Sequence, residues 1–406
     1  MGFSQALSGL NAAASSLDVQ GNNIANSQTV GFKSSSAQFA DVFANSRVGL
    51  GTRVSAVLQD FSEGNLEATS RNLDLGISGQ GFFRFEQADQ VVYSRNGQLT
   101  MTPDGYLQNA QGARIMGYGA NAAGEVLGGG QPEVLQVASD EMPASATTQV
   151  ATTFNLDSRE VAGQGLNTAE MDDGTQVPYH FSNNFTAYDS LGNPRNFSVY
   201  YEKTAANAWD AKVAMDGYYD AANDFTLSFD NNGGLTAPGT PPTINVANNN
   251  TTPLGTGPAA LSFDLNLAGS TQFGNTSTTS SLTQNGFTSG TLVGINIEND
   301  GTVVRNYSNE QSLAAGQIVM ANFRNPEGLN PQGDNVWSAT QASGQELVGP
   351  PGTGLLGTIE SGAIETSNVD MARELVNMIV TQRAYQANSK TIQTQDEVLQ
   401  TAINLR

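Results

Sequence analysis

The sequence predicts a multidomain chain. Long terminal α-helices are expected to pair in a coiled-coil-like domain, and the middle to fold as all-β domains. Three observations carry this. Near the start, Phe3, Leu10, Leu17 and Ile24 stand seven residues apart, with Leu7 and Ala14 beside them. Near the end, Met371, Met378, Tyr385, Ile392 and Leu399 repeat with the same period, flanked by Leu375 and Ile403. Between the ends lie short runs of strand formers separated by turn signals. A seven-residue repeat keeps one apolar seam facing a partner along a slightly under-wound helix. Neither end has a partner segment next to it in sequence. The seams are therefore expected to pair with each other or with other copies of the chain. An intramolecular helical hairpin on an ordinary core is the alternative.

The first helix reads from about 4 to 26, broken afterwards by Ser27, Gly31 and the Ser34-Ser35-Ser36 run. It is about 35 Å long, and alone it would be marginal in water. Its polar face is Ser, Asn and Gln with almost no charge, which suits helices packed tightly among many copies better than bulk solvent. In the middle, Leu73-Asp74-Leu75-Gly76-Ile77, Phe82 to Phe85, Val91 to Tyr93 and Phe197 to Tyr201 read as strands. Asn96-Gly97, Pro103-Asp104-Gly105, Asn193-Pro194 and Asn299-Asp300-Gly301 mark turns. The last of these predicts a hairpin between Leu292–Asn299 and Thr302–Tyr307. Residues 231–290 carry one charged side chain, Asp264, and could be a low-complexity linker. The alternation of Leu261, Phe263, Leu265 and Leu267, followed by Phe273, favours strands and loops of a β-domain. At the end, Ser367-Asn368-Val369-Asp370 matches a capping box. No Pro or Gly interrupts the chain from there to Leu405, which gives about 55 Å of helix.

With 406 residues the chain has room for two or three domains. The net charge of -21 disfavours nucleic acid and anionic membrane, both of which select basic surfaces. Residues 1–30 hold one charged side chain, Asp18, and residues 367–406 balance four acids with four bases, so -20 falls on 31–366. Neutral ends fit burial, and an acidic middle fits water. The absence of cysteine excludes thiolate metal sites and Cys nucleophiles. No apolar run has the length of a transmembrane span. The start lacks the basic and apolar regions of a cleavable signal, so the chain is expected to stay inside or to leave by a route that reads an uncleaved end.

Several motifs tempt and fail. Gly349-Pro350-Pro351-Gly352-Thr353-Gly354 opens like a phosphate-binding loop, but Leu355 and Leu356 stand where Lys and Ser/Thr are needed. Gly352-x-Gly354-x-x-Gly357 has dinucleotide-loop spacing without a strand before it or a helix after it, and reads as a turn. His180 is the one histidine and reads as an ordinary strand or surface residue. Asp216, Asp220 and Asp224 lack the alternation and terminal Glu of a calcium loop. Asn184, Asn196 and Asn306 head glycosylation triplets that chance supplies in so Asn- and Thr-rich a chain. No cofactor, metal site or catalytic constellation is expected, and the chain is read as a non-enzyme.

The stretch Leu17-Asp18-Val19-Gln20-Gly21-Asn22-Asn23-Ile24-Ala25-Asn26, followed by Thr29-x-Gly31-Phe32-Lys33, resembles the N-terminal signature of the bacterial flagellar rod and hook family. Ser367 to Asp370, Glu374-Leu375-Val376-Asn377-Met378-Ile379 and Gln382-Arg383-x-Tyr385-Gln386-x-Asn388 resemble that family's other end. Ile77 to Phe83 resembles a β segment shared by rod and hook subunits. Tyr188-Asp189-Ser190-Leu191-Gly192-Asn193, Asn299 to Val303, Asn306 to Asn309 and Gly316-Gln317-Ile318 are similar to the hook branch. A distal rod-type subunit is the nearest alternative, although the resemblance makes such subunits much shorter. A secreted β-rich adhesin is a more remote one.

The resemblance implies a self-assembling structural subunit of a curved, flexible tube, a universal joint carrying motor torque from rod to filament for swimming. It implies a homo-polymer that meets rod, hook-cap and hook–filament junction proteins and the flagellar type III export apparatus, without nucleic acid or membrane insertion. The location implied is extracellular, at the hook and basal body, reached without a cleaved signal. The organisation expected is an N-terminal helix (1–26), an extended connecting segment (27–70), an inner β-domain in two parts (71–146 and 286–362), an outer β-insertion (147–285) and a C-terminal helix (363–406). Assembly residues are Phe3, Leu7, Leu10, Leu17 and Ile24 on the first seam, and Met371, Leu375, Met378, Tyr385, Ile392, Leu399 and Ile403 on the second. Asn22, Asn23, Ile24, Ala25, Asn26, Gly31 and Phe32 form the family motif.

Overall fold

The computed structural model describes residues 2–42, 49–249 and 251–404. Helices lie at both ends, α1 over Gly2–Ala25 and α2 over Met371–Asn404, and strands fill the middle. Leu405, to which the sequence reading extends the second helix, lies outside the described residues. The cap of α2 falls one turn later than the capping-box pattern suggests. Asp370 Oδ1 accepts from Ala372 N at 3.0 Å and from Arg373 N at 3.1 Å. Ser367 is held outside the helix, where its Oγ accepts from Val369 N at 3.3 Å.

The chain divides into two compact units. The first joins Met1–Ser139, Val293–Asn306 and Ser312–Arg406. After α1 comes an antiparallel ribbon, β1 (Ser35–Val42) and β2 (Gly51–Gln59), with Ser35 opposite Gln59 and Val42 opposite Gly51. The β core of this unit is organised by the strand Phe82–Gln87, which pairs with Gln90–Ser94, Arg114–Gly119 and Met320–Asn322. Leu75, Ile77, Phe83, Phe85, Ile318 and Met320 fill one cluster. A second cluster is aromatic, with Phe82, Tyr93, Phe323 and Trp337 packed edge to face and Phe61 against them. The hairpin read around Asn299-Asp300-Gly301 forms between Leu292–Ile297 and Thr302–Tyr307. Asp300 Oδ1 accepts from Thr302 N, and Gly301 takes the positive φ the turn requires.

The second unit joins Asp140–Leu292 to Tyr307–Gln311. A six-stranded antiparallel sheet runs through Phe181–Tyr188, Pro194–Ala205, Ala208–Met215 and Phe225–Phe229. A five-stranded sheet centres on Gln149–Asp157, which pairs in parallel with Leu261–Asn266 and antiparallel with Thr278–Gln284. The poorly charged stretch 231–290 therefore contributes strands. Leu261, Phe263, Leu265 and Leu267 bury into a core with Phe154, Phe197, Tyr201 and Trp209, as their alternation predicts. Phe273 stays exposed.

Two features of this unit have direct consequences. The Tyr201 ring is fully buried, and its hydroxyl has no hydrogen-bond partner. An unpaired buried hydroxyl costs about 1–3 kcal/mol, so Tyr201→Phe should leave stability unchanged or raise it by about 1 kcal/mol. Calorimetric unfolding checks this. Asp189 is fully buried and accepts from Leu191 N, from Asn193 N and Nδ2, and from Arg195 Nε and Nη2. Burial pushes its carboxyl up, but the Asn193, Leu191 and Arg195 donors outweigh that and hold it below its ordinary 3.8. Its stabilisation is present above the unfolded-state value and is lost as pH falls through the lower folded one. Asp189→Asn should cost about 2 kcal/mol at neutral pH. The variant should also lose part of the acid-induced drop in stability, read from urea midpoints at pH 3 to 7.

Candidate assembly surface

Three stripes run along α1. One meets the ribbon. Gln5 Nε2 donates to Gly49 O at 2.5 Å, Thr52 N donates to Ser8 Oγ at 3.2 Å, and Asn23 exchanges two bonds with the Ser35 backbone at 2.8 and 2.9 Å. A second stripe meets α2. Gln20 Nε2 donates to Thr381 Oγ1 at 3.1 Å, and a Cβ added at Gly9 would stand 2.8 Å from Asn388 Nδ2. Because Gly9 meets Asn388 and Gln20 meets Thr381, the helices run antiparallel. Ala6 and Ala13, at helical spacing from Gly9, are buried. Small side chains along this stripe allow close approach.

The apolar seam is the third stripe, on the flank of the second. Phe3 and Leu7 are exposed, while Leu10, Leu17 and Ile24 are half-buried. On α2, Met378 and Ile392 are half-buried, and Met371, Leu375, Tyr385, Leu399 and Ile403 are exposed, Ile403 to 72%. Val376, Ile379 and Val380 add exposed apolar surface beside Leu375. The first half of α2 thus leaves a broad apolar stripe open beside polar positions such as Glu374, Asn377 and Thr381. A single chain does not bury it.

The family-motif residues sit where α1 hands over to the β structure. Asn22 and Ala25 are exposed and Ile24 is half-buried. Asn26 Nδ2 donates to Asn22 O, and Asn26 Oδ1 accepts from Thr29 Oγ1. Phe32 is buried. Gly31 has φ +70, and a Cβ there would lie 2.7 Å from Asn96 N, so both conformation and space require glycine.

Beside Gly31 lies a buried ionic cluster that the sequence does not reveal. Lys33 and Glu365 are fully buried, and Arg95 nearly so. The Glu365 carboxylate accepts from Arg95 Nε (2.6 Å) and Nη2 (3.0 Å), Lys33 Nζ (2.7 Å) and Gly64 N (2.9 Å). Arg95 Nη1 also donates to Gly79 O and Gly81 O, and Lys33 Nζ to Ser62 O. Burial pushes the Glu365 carboxyl up, but the hydrogen bonds and charge of Arg95, then the charge of Lys33, hold it below the usual carboxylate range. Burial, joined by the charge of Arg95, holds Lys33 below its ordinary range against the opposing pull of Glu365. Asn368 ties the same place together, accepting from Ser34 N and donating to Asp60 O, both at 2.8 Å. Lys33 stands in the family motif, but a partner 332 positions away leaves no sequence signal.

The other sequence candidates resolve into structural roles. His180 Nδ1 accepts from Lys203 N at 3.0 Å, which places the proton on Nε2, facing Gln164 O. Asp220 caps a short turn by accepting from Ala222 N, Asp224 accepts from Tyr219 Oη, and Asp216 accepts from Asn196 N. Among the described residues, no helix is long and apolar enough to cross a membrane.

Family models match four stretches of the chain. "Flagella basal body rod protein" matches residues 4–33, "Flagellar hook protein FlgE/F/G D1 domain" 76–153, "Flagellar basal body protein FlaE D2 domain" 155–287, and "Flagellar basal body rod FlgEFG protein C-terminal" 360–405. The flagellar hook protein of Salmonella typhimurium is 46% identical over 415 residues, covering 100% of both chains. That of Escherichia coli is 45% identical over 416 residues with the same coverage, and that of Borreliella burgdorferi is 34% identical, covering 98% of each. A crystal structure of a Helicobacter pylori flagellar hook protein has the same fold, with a TM-score of 0.55 at 13% identity, over 74% of this chain and 100% of that one. The chain belongs to the flagellar hook protein family, as a structural subunit of the bacterial flagellum.

Proposed function

We propose that this subunit polymerises through its terminal helices into a curved, flexible tube that carries torque from the rod to the filament. The observation that carries the reading is the apolar surface left open on both helices. The contact between α1 and α2 within one chain uses small and polar residues, Gly9 with Asn388 and Gln20 with Thr381. The heptad residues Phe3, Leu7, Met371, Leu375, Leu399 and Ile403 stay exposed. Exposed apolar surface of this extent marks an interaction site, and a seven-residue repeat on both helices selects helical partners. Other copies of the chain supply them. In this reading residues 1–26 and 363–406 form the inner coiled-coil-like wall, 27–70 connects it to the β-domain of 71–146 and 286–362, and 147–285 forms an outer domain. Rod, hook-cap and hook–filament junction proteins meet the ends of the tube. The subunit reaches its extracellular place through the type III export apparatus.

Leu375→Asp and Leu399→Asp separate assembly from folding. Both side chains are exposed in the single chain, so each variant should keep its unfolding free energy within about 0.5 kcal/mol. A charge placed in a dry seam costs several kcal/mol, roughly 2–7, so neither variant should form tubes. Electron microscopy of concentrated protein reads the outcome, and tubes of normal length from either variant would remove the seam from the mechanism.

The division of labour can be tested by excising 147–285. Thr148 N donates to Asn285 Oδ1 at 3.0 Å and Thr147 Oγ1 to Gln284 Oε1 at 3.1 Å, so a short linker bridges the gap. The shortened subunit should still be exported and form tubes, but straight or differently curved ones that impair swimming. Normal curvature in hooks imaged from such cells would refute the role given to the outer domain.

A further inference from the structure

Four segments of the chain cross at the Glu365 carboxylate. Residues 31–35 leave the end of α1, with Gly31 N donating to Glu365 O at 2.8 Å and Lys33 reaching the side chain. Residues 60–68 return from β2, where Gly64 N donates to the carboxylate and Leu66 pairs with Glu365 in a short antiparallel ladder. Arg95 arrives from the β core, where its guanidinium is also fixed to the carbonyls of Gly79 and Gly81. Residues 363–368 lead directly into α2. Space is tight as well: a Cβ at Gly64 would fall 2.0 Å from Thr366 O.

The cluster holds two cationic side chains against one anion, all three buried. Removing one partner of a buried ion set is costly because the remaining charge is left without compensation. The three members are therefore unequal. Without Lys33, the Arg95–Glu365 pair stays neutral and doubly hydrogen-bonded. Without Glu365, both cations lose their counter-charge, and Gly64 N loses its acceptor.

We infer that Glu365 is a positioning residue that couples the two ends of the chain, so that the connecting segment 27–70 is held on the β core only when the stretch entering α2 is in place. This goes beyond the polymerisation reading and does not depend on it, because it concerns a single subunit before any partner binds. A subunit whose C-terminal stretch is undocked then presents a loosened connecting segment, and both helices become attached to the β core in one step.

The test is amide hydrogen exchange on the dilute full-length chain, comparing wild type with Glu365→Gln, Lys33→Met and the double variant. Gly31, Asp60, Gly64 and Thr366 report on the crossing, and Phe83 and Phe85 report on the β core. In Glu365→Gln the crossing amides should exchange roughly a hundredfold faster, with the core amides unchanged. Lys33→Met should accelerate the crossing amides by less than about tenfold, since a neutral pair survives. The double variant should exchange more slowly than Glu365→Gln alone, because one stranded cation has gone, and such non-additivity is the mark of coupled groups. Unchanged exchange in Glu365→Gln would overturn the inference, as would an effect of Lys33→Met equal to that of Glu365→Gln. Loss of core protection in Glu365→Gln would also overturn it, because the carboxylate would then be part of the core and not a coupler. Tube formation by any variant is scored separately and leaves this outcome untouched.

Discussion

Burying one carboxylate among two cations and a backbone amide constrains the first unit more than any apolar contact does. Hydrophobic clusters tolerate repacking when volume and pattern are kept. The Glu365 site does not, because its partners come from segments far apart in the chain and each has a fixed geometry. Gly31 and Gly64 are glycines for that reason, since side chains there would strike Asn96 and Thr366. Asn368 closes the arrangement by bonding both neighbouring segments. The cap of α2 is displaced to Asp370 because Asn368, inside the capping-box pattern, is already committed to the crossing.

Once the ends are gathered there, the two helices leave the β structure side by side, and their contact follows from residue size. Gly9, Ala6 and Ala13 give α1 a narrow stripe, and Thr381 and Asn388 on α2 meet it with polar groups. Such a contact sets direction and spacing. Larger hydrophobic side chains on α2 remain exposed beside it. Leu375, Val376, Ile379 and Val380 would be a liability on a monomeric protein, and on a polymerising one they are the main source of cohesion. The neutrality of both ends matters equally. With -20 of the net charge on residues 31–366, helices that had to pack across an acidic surface would repel one another.

Much of this was legible in the sequence because the relevant signals are local. The heptads at Phe3–Ile24 and Met371–Leu399 announce helices. The alternation around Leu261–Leu267 separates a strand from a linker despite a composition that suggests disorder. The turn at Asn299-Asp300-Gly301 is readable from residue chemistry alone. What escaped was non-local or carried by unremarkable residues. The partnership of Lys33 with Glu365 joins positions whose separation carries no pattern. Ala88 and Asp89 both take positive φ at the tip of a tight hairpin, where sequence rules look for Asn-Gly. The heptad rule finds the apolar stripe of α1, but not the small-residue stripe beside it, which makes the contact within the chain.

The acidic character of the middle has a structural origin in these turns. Asp157, Asp173, Asp189, Asp230 and Asp300 each accept a hydrogen bond from the backbone N–H two residues on, the geometry of an Asx turn. Asp60 and Asp220 do the same at Ser62 and Ala222. A β-rich chain with many tight reversals needs such residues, and at the exposed turns Asp serves where Asn also could, whereas buried Asp189 is held by Arg195. At the exposed turns each choice of Asp adds a negative charge that the turn itself does not require. The charge accumulates on the units that face water and is absent from α1 except at Asp18. One set of local turn preferences thus adds to the negative charge of residues 31–366. In the proposed assembly the apolar stripes of α1 and α2 supply the attraction. Cohesion and repulsion are therefore segregated along the sequence in that assembly, as a tube needs if its wall is to hold while its outer contacts stay weak.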